Sequence, residues 1–295
     1  MRKLSVSEWC CAVRFNNNDN NVMTDLSTPF VVLPNSERYW CADPFLFQKD
    51  GHFYVFFEAY DRLKRKGVLG YRQITENTVG SIHIFYETTS HLSYPFIYEA
   101  DGDIYIVPES NMSGELYRLK CLSFPNKWER EEVLLNRRLV DSTFFSYEGA
   151  EYCLSTQIDD SLIFDRLDLF YKSNGQWLPC LHNPVKRDLA SVRGAGKCFE
   201  QDSVWYRPSQ DCSNGYGCAL CLNAIDKINS NEYMEHCIKK LQPTEIQTNT
   251  GVQYQGIHTY NRLKHIEVID LKTPPELHIL NLLGGFWKRV RNMIK

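Results

Sequence analysis

The sequence lacks any long apolar run. No window approaches the roughly 20 consecutive apolar residues that a membrane span needs. Its opening residues, Met1-Arg2-Lys3-Leu4-Ser5, carry two positive charges with no apolar stretch behind them, so no secretory leader is read and a cytoplasmic location is expected. An excess of one charge is also missing. Thirty-three basic side chains face 36 acidic ones, a net charge of -3, which excludes a general electrostatic case for nucleic acid as a partner. Paired metal-spaced cysteines are lacking too. The 11 cysteines are odd in number and irregular in spacing. Cys218-Ala-Leu-Cys221 is the one CxxC, whereas a structural zinc site wants a second pair. Reduced thiols packed as small apolar residues are therefore expected.

What is present points to strands. Seventeen Tyr, 16 Phe and 6 Trp suit a pleated, half-buried surface, and 43% hydrophobic against 23% charged residues excludes disorder. A repeat is visible. Asp43-Pro44-Phe45-Leu46-Phe47 leads through Asp50-Gly51 to Phe56-Phe57-Glu58. Tyr94-Pro95-Phe96-Ile97-Tyr98 leads through Asp101-Gly102 to Val107-Pro108-Glu109 without a gap. A third copy starts at Asp141 and turns at Glu148-Gly149; a looser fourth starts at Gly194, and a degenerate fifth runs from Gly256 to Asp270. Each copy reads as a β-hairpin, because the Asp-Gly or Glu-Gly pair supplies the positive φ of a tight turn. Further strands follow several copies, with Trp128 and Trp177 placed where outer strands begin. Four strands per unit, about 50 residues apart, predict an all-β, five-bladed β-propeller over residues 1–280. The segment around Trp9-Cys10-Cys11-Ala12-Val13 is placed to complete the last blade. A β-sandwich with similar hairpins is the alternative.

In a propeller the first strand of each blade lines a central channel. Asp43, Tyr94, Asp141, Arg193 and His258 therefore converge on one funnel, and the ends of the second strands add Glu58, Glu109 and Arg207. Carboxylates sharing a funnel repel one another, so one can stay protonated while another ionises, as glycosidic chemistry requires. Capping of turns by Asp43 and Asp141 is the bland alternative. Arg193, Lys197 and Arg207 suit a phosphate, or else pair with the funnel carboxylates. The polar, aromatic stretch with Gln210, Asp211 and Tyr216 suits a rim loop stacking on a sugar, or an ordinary solvated loop. No motif demands a cofactor and no metal ligand set is assigned, although the carboxylates and His258 leave a divalent metal open.

Ala42-Asp43-Pro44-Phe45-Leu46-Phe47, Ser93-Tyr94-Pro95, Pro108-Glu109, Tyr206-Arg207-Pro208 and Gly256-Ile257-His258-Thr259 together resemble a known family over roughly residues 38–272. It is that of the N-terminal domain of glucosamine inositolphosphorylceramide transferase and its bacterial single-domain relatives. That domain is similar in turn to the five-bladed propellers of furanosidase-type glycoside hydrolases. The resemblance implies Asp43 as base and Asp141 as the group that tunes pKa. The fourth-blade acid Glu of those hydrolases has no match here, and Glu58 or Glu109 is left to substitute.

The tail 281–295 differs in composition. Apolar residues fall at Phe286, Trp287, Val290, Met293 and Ile294, and Lys288, Arg289, Arg291 and Lys295 fill the other face. This spacing predicts a short amphipathic helix suited to an anionic membrane surface, or to packing on the propeller or a partner. The resulting expectation is a peripheral enzyme at the inner face of the membrane: a glycosyltransferase of bacterial surface polysaccharide, capsule or O-antigen. It would move a sugar, furanosyl or phosphoribosyl, from an activated sugar phosphate donor to a lipid-linked glycan acceptor. A furanosidase-type glycoside hydrolase and a non-catalytic glycan-binding module are the alternatives.

Overall fold

The computed structural model describes residues 6–16, 28–158, 164–281 and 283. The repeat turns have the backbone the sequence implies. Asp50-Gly51, Asp101-Gly102 and Glu148-Gly149 take φ of 49° and 80°, 52° and 81°, and 49° and 79°. Such paired left-handed residues match the twist of the flanking strands.

The hairpins assemble into five antiparallel sheets, the blades of a propeller. The first runs outward from Tyr39–Lys49 through His52–Asp61 and Lys66–Ile74 to His83–Tyr86. The second runs from Ser93–Ala100 through Asp103–Glu109 and Leu116–Ser123 to Lys127–Leu135. The third starts at Leu139–Tyr147 and reaches Gln176–Pro179. Trp128 and Trp177 lie in the outermost strands, as expected. The ring closes with strands from both ends of the chain. Trp9–Phe15 pairs with Ile266–Lys272 in unbroken register from Trp9↔Lys272 to Phe15↔Ile266. Such a closure ties sequence-distant strands together and leaves the ring no free inner edge.

The fourth blade explains its loose repeat. Its inner strand is split into Arg193–Gly194 and Phe199–Gln201. Between them Gly196 takes φ 137°, and a Cβ there would stand 2.0 Å from the Tyr260 carbonyl oxygen. Only glycine lets the two blades approach so closely.

The core lies between blades. Phe45, Phe56, Phe57 and Phe170 are fully buried, and each stabilises the fold by about 2–3 kcal/mol through area removed from water. A helical turn occupies 279–281. The amphipathic helix expected over 286–295 lies outside the described residues.

Candidate functional site

Three blades share one backbone device. In each inner strand the pairing register slips, between Ala42 and Phe45, Ser93 and Phe96, and Val140 and Thr143. At the slip Asp43, Tyr94 and Asp141 take φ of 51°, 44° and 51°. Non-glycine residues avoid this region at a cost of about 1–3 kcal/mol each, and bulges re-aim side chains at functional sites. The strain falls at the same repeat position three times, on residues that meet at the axis.

A belt of hydrogen bonds links them round the channel. The Asp43 N–H donates to Asp270 Oδ2 at 2.9 Å, and the Tyr94 N–H donates to Asp43 Oδ2 at 3.1 Å. The Tyr94 hydroxyl meets Thr143 Oγ1 at 2.9 Å and accepts from the Gly196 N–H at 2.7 Å. The Tyr260 N–H donates back to the Ala195 carbonyl at 2.7 Å. All five blades are thus tied at the level of Asp43.

On this belt stand two groups of titratable side chains. The first is Asp43, His258 and Asp270. Asp43 accepts from Thr259 Oγ1 at 3.1 Å and lies 3.5 Å from His258 Nε2. Burial pushes the Asp43 carboxyl up to about 6; His258 works against that shift, while Asp270 and Asp141 add to it. Asp270 Oδ1 accepts from the N–H groups of His258 and Thr259 at 3.1 and 2.9 Å, and its Oδ2 lies 2.7 Å from His258 Nδ1. Burial opposes charge on His258, but Asp270 and then Asp43 outweigh it and raise its pKa. The imidazole is fixed from both sides, stacked at 3.9 Å on Trp9 and met edge-on by Tyr216 at 5.1 Å. The donor atoms of Asp43, His258 and Asp270 lie within 4.8 Å of one another, a set of one imidazole and two carboxylates that fits a divalent cation.

The second group is Glu109, Asp141 and Arg193. Arg193 reaches Asp141 Oδ2 through Nε and Nη2, both at 2.7 Å, and Gln210 Nε2 donates to the same oxygen at 3.1 Å. The guanidinium lies between the rings of Phe164 and Tyr216, 5.0 Å from each centroid. Burial, then the charge of Asp141, raises Glu109 to about 8 although Arg193 pulls the other way. Glu58 is also held well above the usual carboxylate range, by burial and then by Asp43. His91 takes the Gly67 N–H on Nδ1 at 3.0 Å, which leaves Nε2 to carry its proton, 3.3 Å from Glu58 Oε1.

Of the residues singled out in the sequence, Asp43, Glu58, Tyr94, Glu109, Asp141, Arg193, Gln210, Tyr216 and His258 come together at the funnel. Lys197 lies along the channel toward the opposite end. Its Nζ is 5.6 Å from the Phe96 ring, and burial lowers its pKa to about 8. Arg207 and Asp211 do not join the funnel. Both sit on Val204–Asp211 and turn toward the next-but-one strand of their own blade. There Arg207 is sealed against Glu235 at 2.6 Å and also donates to the Ser191 carbonyl, while Asp211 pairs with Lys240 and accepts from Ser213 Oγ at 2.6 Å. Period-two alternation separates them from Gln210, which points to Asp141. Asp270 was missed, although Val268-Ile269-Asp270 ends the fifth hairpin as Phe56-Phe57-Glu58 ends the first. Trp9 and Phe164 carried no such repeat signal.

Comparison with known proteins follows the same lines. Residues 19–279 match the family model described as glucosamine inositolphosphorylceramide transferase 1, N-terminal. The chain is 30% identical over 267 residues to glucosamine inositolphosphorylceramide transferase 1 of Arabidopsis thaliana, covering 86% of this chain and 33% of that protein. It is 31% identical over 242 residues to the Oryza sativa subsp. japonica protein of the same name, covering 78% of this chain and 31% of that one. The chain thus spans about a third of the length of these relatives. Among solved structures, the catalytic domain of the Coprinopsis cinerea family 62 α-L-arabinofuranosidase superposes with a TM-score of 0.58 at 10% identity, over 80% of this chain and 91% of that one. A family 62 hydrolase in complex with xylotriose gives 0.56 at 13% identity, over 86% and 84%. These similarities correct the expectation of a bacterial surface-polysaccharide transferase. The curated relatives are plant proteins named as inositolphosphorylceramide transferases, and the solved folds are those of glycoside hydrolases.

Proposed function

Because the chain belongs to the family of glucosamine inositolphosphorylceramide transferase 1 N-terminal domains, with a furanosidase-like propeller fold, we propose that it is a glycoside hydrolase of furanosidase type. One observation carries the reading: two carboxyls of one funnel have their pKa values pushed to about 6 and about 8. Between those values Asp43 is ionised and Glu109 holds its proton, the acid and base division that glycosidic cleavage needs.

Asp43 takes a proton from a water whose oxygen attacks the anomeric carbon. The carbon–oxygen bond to the leaving group breaks, and Glu109 gives its proton to the departing oxygen. Asp141, held by Arg193 and Gln210, lies close enough to raise both of the other carboxyls. The fourth blade brings Arg193 to the funnel and no carboxylate, so the acid comes from the second blade. Tyr216, 46% exposed at the mouth, offers the aromatic surface on which a sugar ring stacks.

Asp43→Asn tests the reading with a chromogenic aryl furanoside. We expect turnover to fall roughly 10²–10⁴-fold, the span of a lost general base, with the fold intact by circular dichroism. Full turnover by the folded variant would remove Asp43 from the chemistry. Saturable glycan binding with no turnover by either protein would leave a binding module in place of an enzyme.

A further inference from the structure

Glu58 stands in the funnel outside the Asp43 and Glu109 pair, yet the fold gives up a side chain to seat it. A Cβ on Gly67 would collide with Glu58 Oε1 and the Leu92 carbonyl oxygen. The Leu92 N–H donates to the Gly67 carbonyl at 3.1 Å, and the Gly67 N–H donates to His91 Nδ1 at 3.0 Å. These bonds hold His91 with Nε2 3.3 Å from Glu58 Oε1. The two atoms are not aligned as a hydrogen bond, so Oε1 is buried without a partner, on a residue only 6% exposed. The His91 side chain is 39% exposed, which opens the pair to solvent. A buried polar atom with no partner calls for an explanation, and a ligand is one.

An aromatic pair continues the same wall toward the mouth. Trp40 pairs with Tyr60 two steps beyond Ala42↔Glu58, on the side away from the Asp50-Gly51 turn. Tyr60 and Glu58 are two residues apart in one strand, so their side chains share the face toward the second blade. The Tyr60 ring lies 6.4 Å from the His91 ring. Trp40 and Tyr60 stack at 4.5 Å with planes 10° apart, and both are half-buried. Neither the Trp40 indole N–H nor the Tyr60 hydroxyl bonds to another described residue. Flat aromatic surface with open polar tips suits a sugar, whose ring offers apolar C–H faces and an edge of hydroxyls. Two strand residues span about 7 Å, so the platform lies about one sugar residue above Glu58. Burial keeps Glu58 neutral, and a neutral carboxyl both donates and accepts, as a sugar hydroxyl does.

We propose that the wall between the first two blades is a second sugar subsite, where Trp40 and Tyr60 stack on the neighbour of the sugar at Asp43 and Glu58, set by His91, bonds to a hydroxyl between them. The ligand is therefore a furanose oligosaccharide and not a single sugar. The inference rests on the glycosidase reading for the class of its ligand, but it is tested by binding and not by turnover.

Calorimetric titration with methyl arabinofuranoside and with arabinotriose tests it, in the Asp43→Asn protein so that neither ligand is consumed. We expect the trisaccharide to bind about tenfold tighter or better. That ratio should fall toward one in Trp40→Ala and be largely kept in Trp40→Phe, which retains a flat ring. It should also fall in Glu58→Leu and survive in Glu58→Gln, whose amide still donates and accepts. Circular dichroism checks that each variant is folded. An equal affinity for the two ligands, binding of neither, or a ratio unchanged in folded Trp40→Ala or Glu58→Leu would overturn the proposal. Trisaccharide binding that needs Trp40, in a chain whose unsubstituted form cleaves no furanoside, would remove the glycosidase and keep the subsite. Cleavage with a ratio indifferent to Trp40 would keep the glycosidase and remove the subsite.

Discussion

Two arginines of the fourth blade each hold a carboxylate, and the two pairs do different work. Arg207 and Glu235 are 1% and 0% exposed, bonded at 2.6 Å, and enclosed between strands of one blade. Arg193 and Asp141 are 11% and 4% exposed and join two blades across the funnel mouth. The first pair is structural. Its desolvation is offset by completeness: Lys186 and Tyr233 also bind Glu235, at 2.9 and 2.6 Å. The second keeps an edge toward the mouth, and its carboxylate sets the protonation of its neighbours. The lesson is that residue type does not decide function in a repeat protein. Blade position and strand parity do.

The comparison can be broken by truncating each arginine. Arg207→Ala strands Glu235 as a buried unpaired charge, and stability should fall by about 3–5 kcal/mol in denaturant unfolding. Arg207→Met with Glu235→Leu should recover most of that loss, since a buried pair replaced by apolar volume costs little. A loss below about 1 kcal/mol for Arg207→Ala would undo the assignment of a sealed structural pair.

Arg193→Ala should have the smaller effect on stability, about 1–3 kcal/mol, because Gln210 still donates to the Asp141 carboxylate left behind. Its signature belongs in the pH dependence. Arg193 lowers the Glu109 pKa and neutralises Asp141. Without it, the alkaline limb of the rate profile should move above about 8. An unmoved limb would detach Arg193 from the carboxyl group it faces.

Much of this was legible in the sequence, for stateable reasons. The hairpins announced themselves because their turns need Asp-Gly or Glu-Gly, and a fixed turn fixes the register of both strands. Asp43, Tyr94 and Asp141 were legible because they recur at one position. Arg207 misled because position near a hairpin end does not say which face a side chain takes. That it turns to Glu235 depends on a strand about 30 residues further on. Asp270 was hidden by the degenerate fifth copy, whose outer strands come from the N-terminal side of the chain. The slipped register that turns Asp43, Tyr94 and Asp141 inward leaves no mark in composition, since it is a backbone state forced by neighbouring blades.

The central claim is that Asp43 and Glu109 divide the base and acid roles because one funnel holds their pKa values apart. Both are raised carboxyls, so Asp43 becomes competent as pH rises through about 6 and Glu109 loses competence through about 8. The pH profile of kcat/KM reads this directly, with an alkyl furanoside whose poor leaving group depends on the acid. The account predicts a bell with limbs near those two values, which belong to the coupled pair, and loss of the upper limb in Glu109→Gln. A profile whose upper limb survives in Glu109→Gln would contradict it.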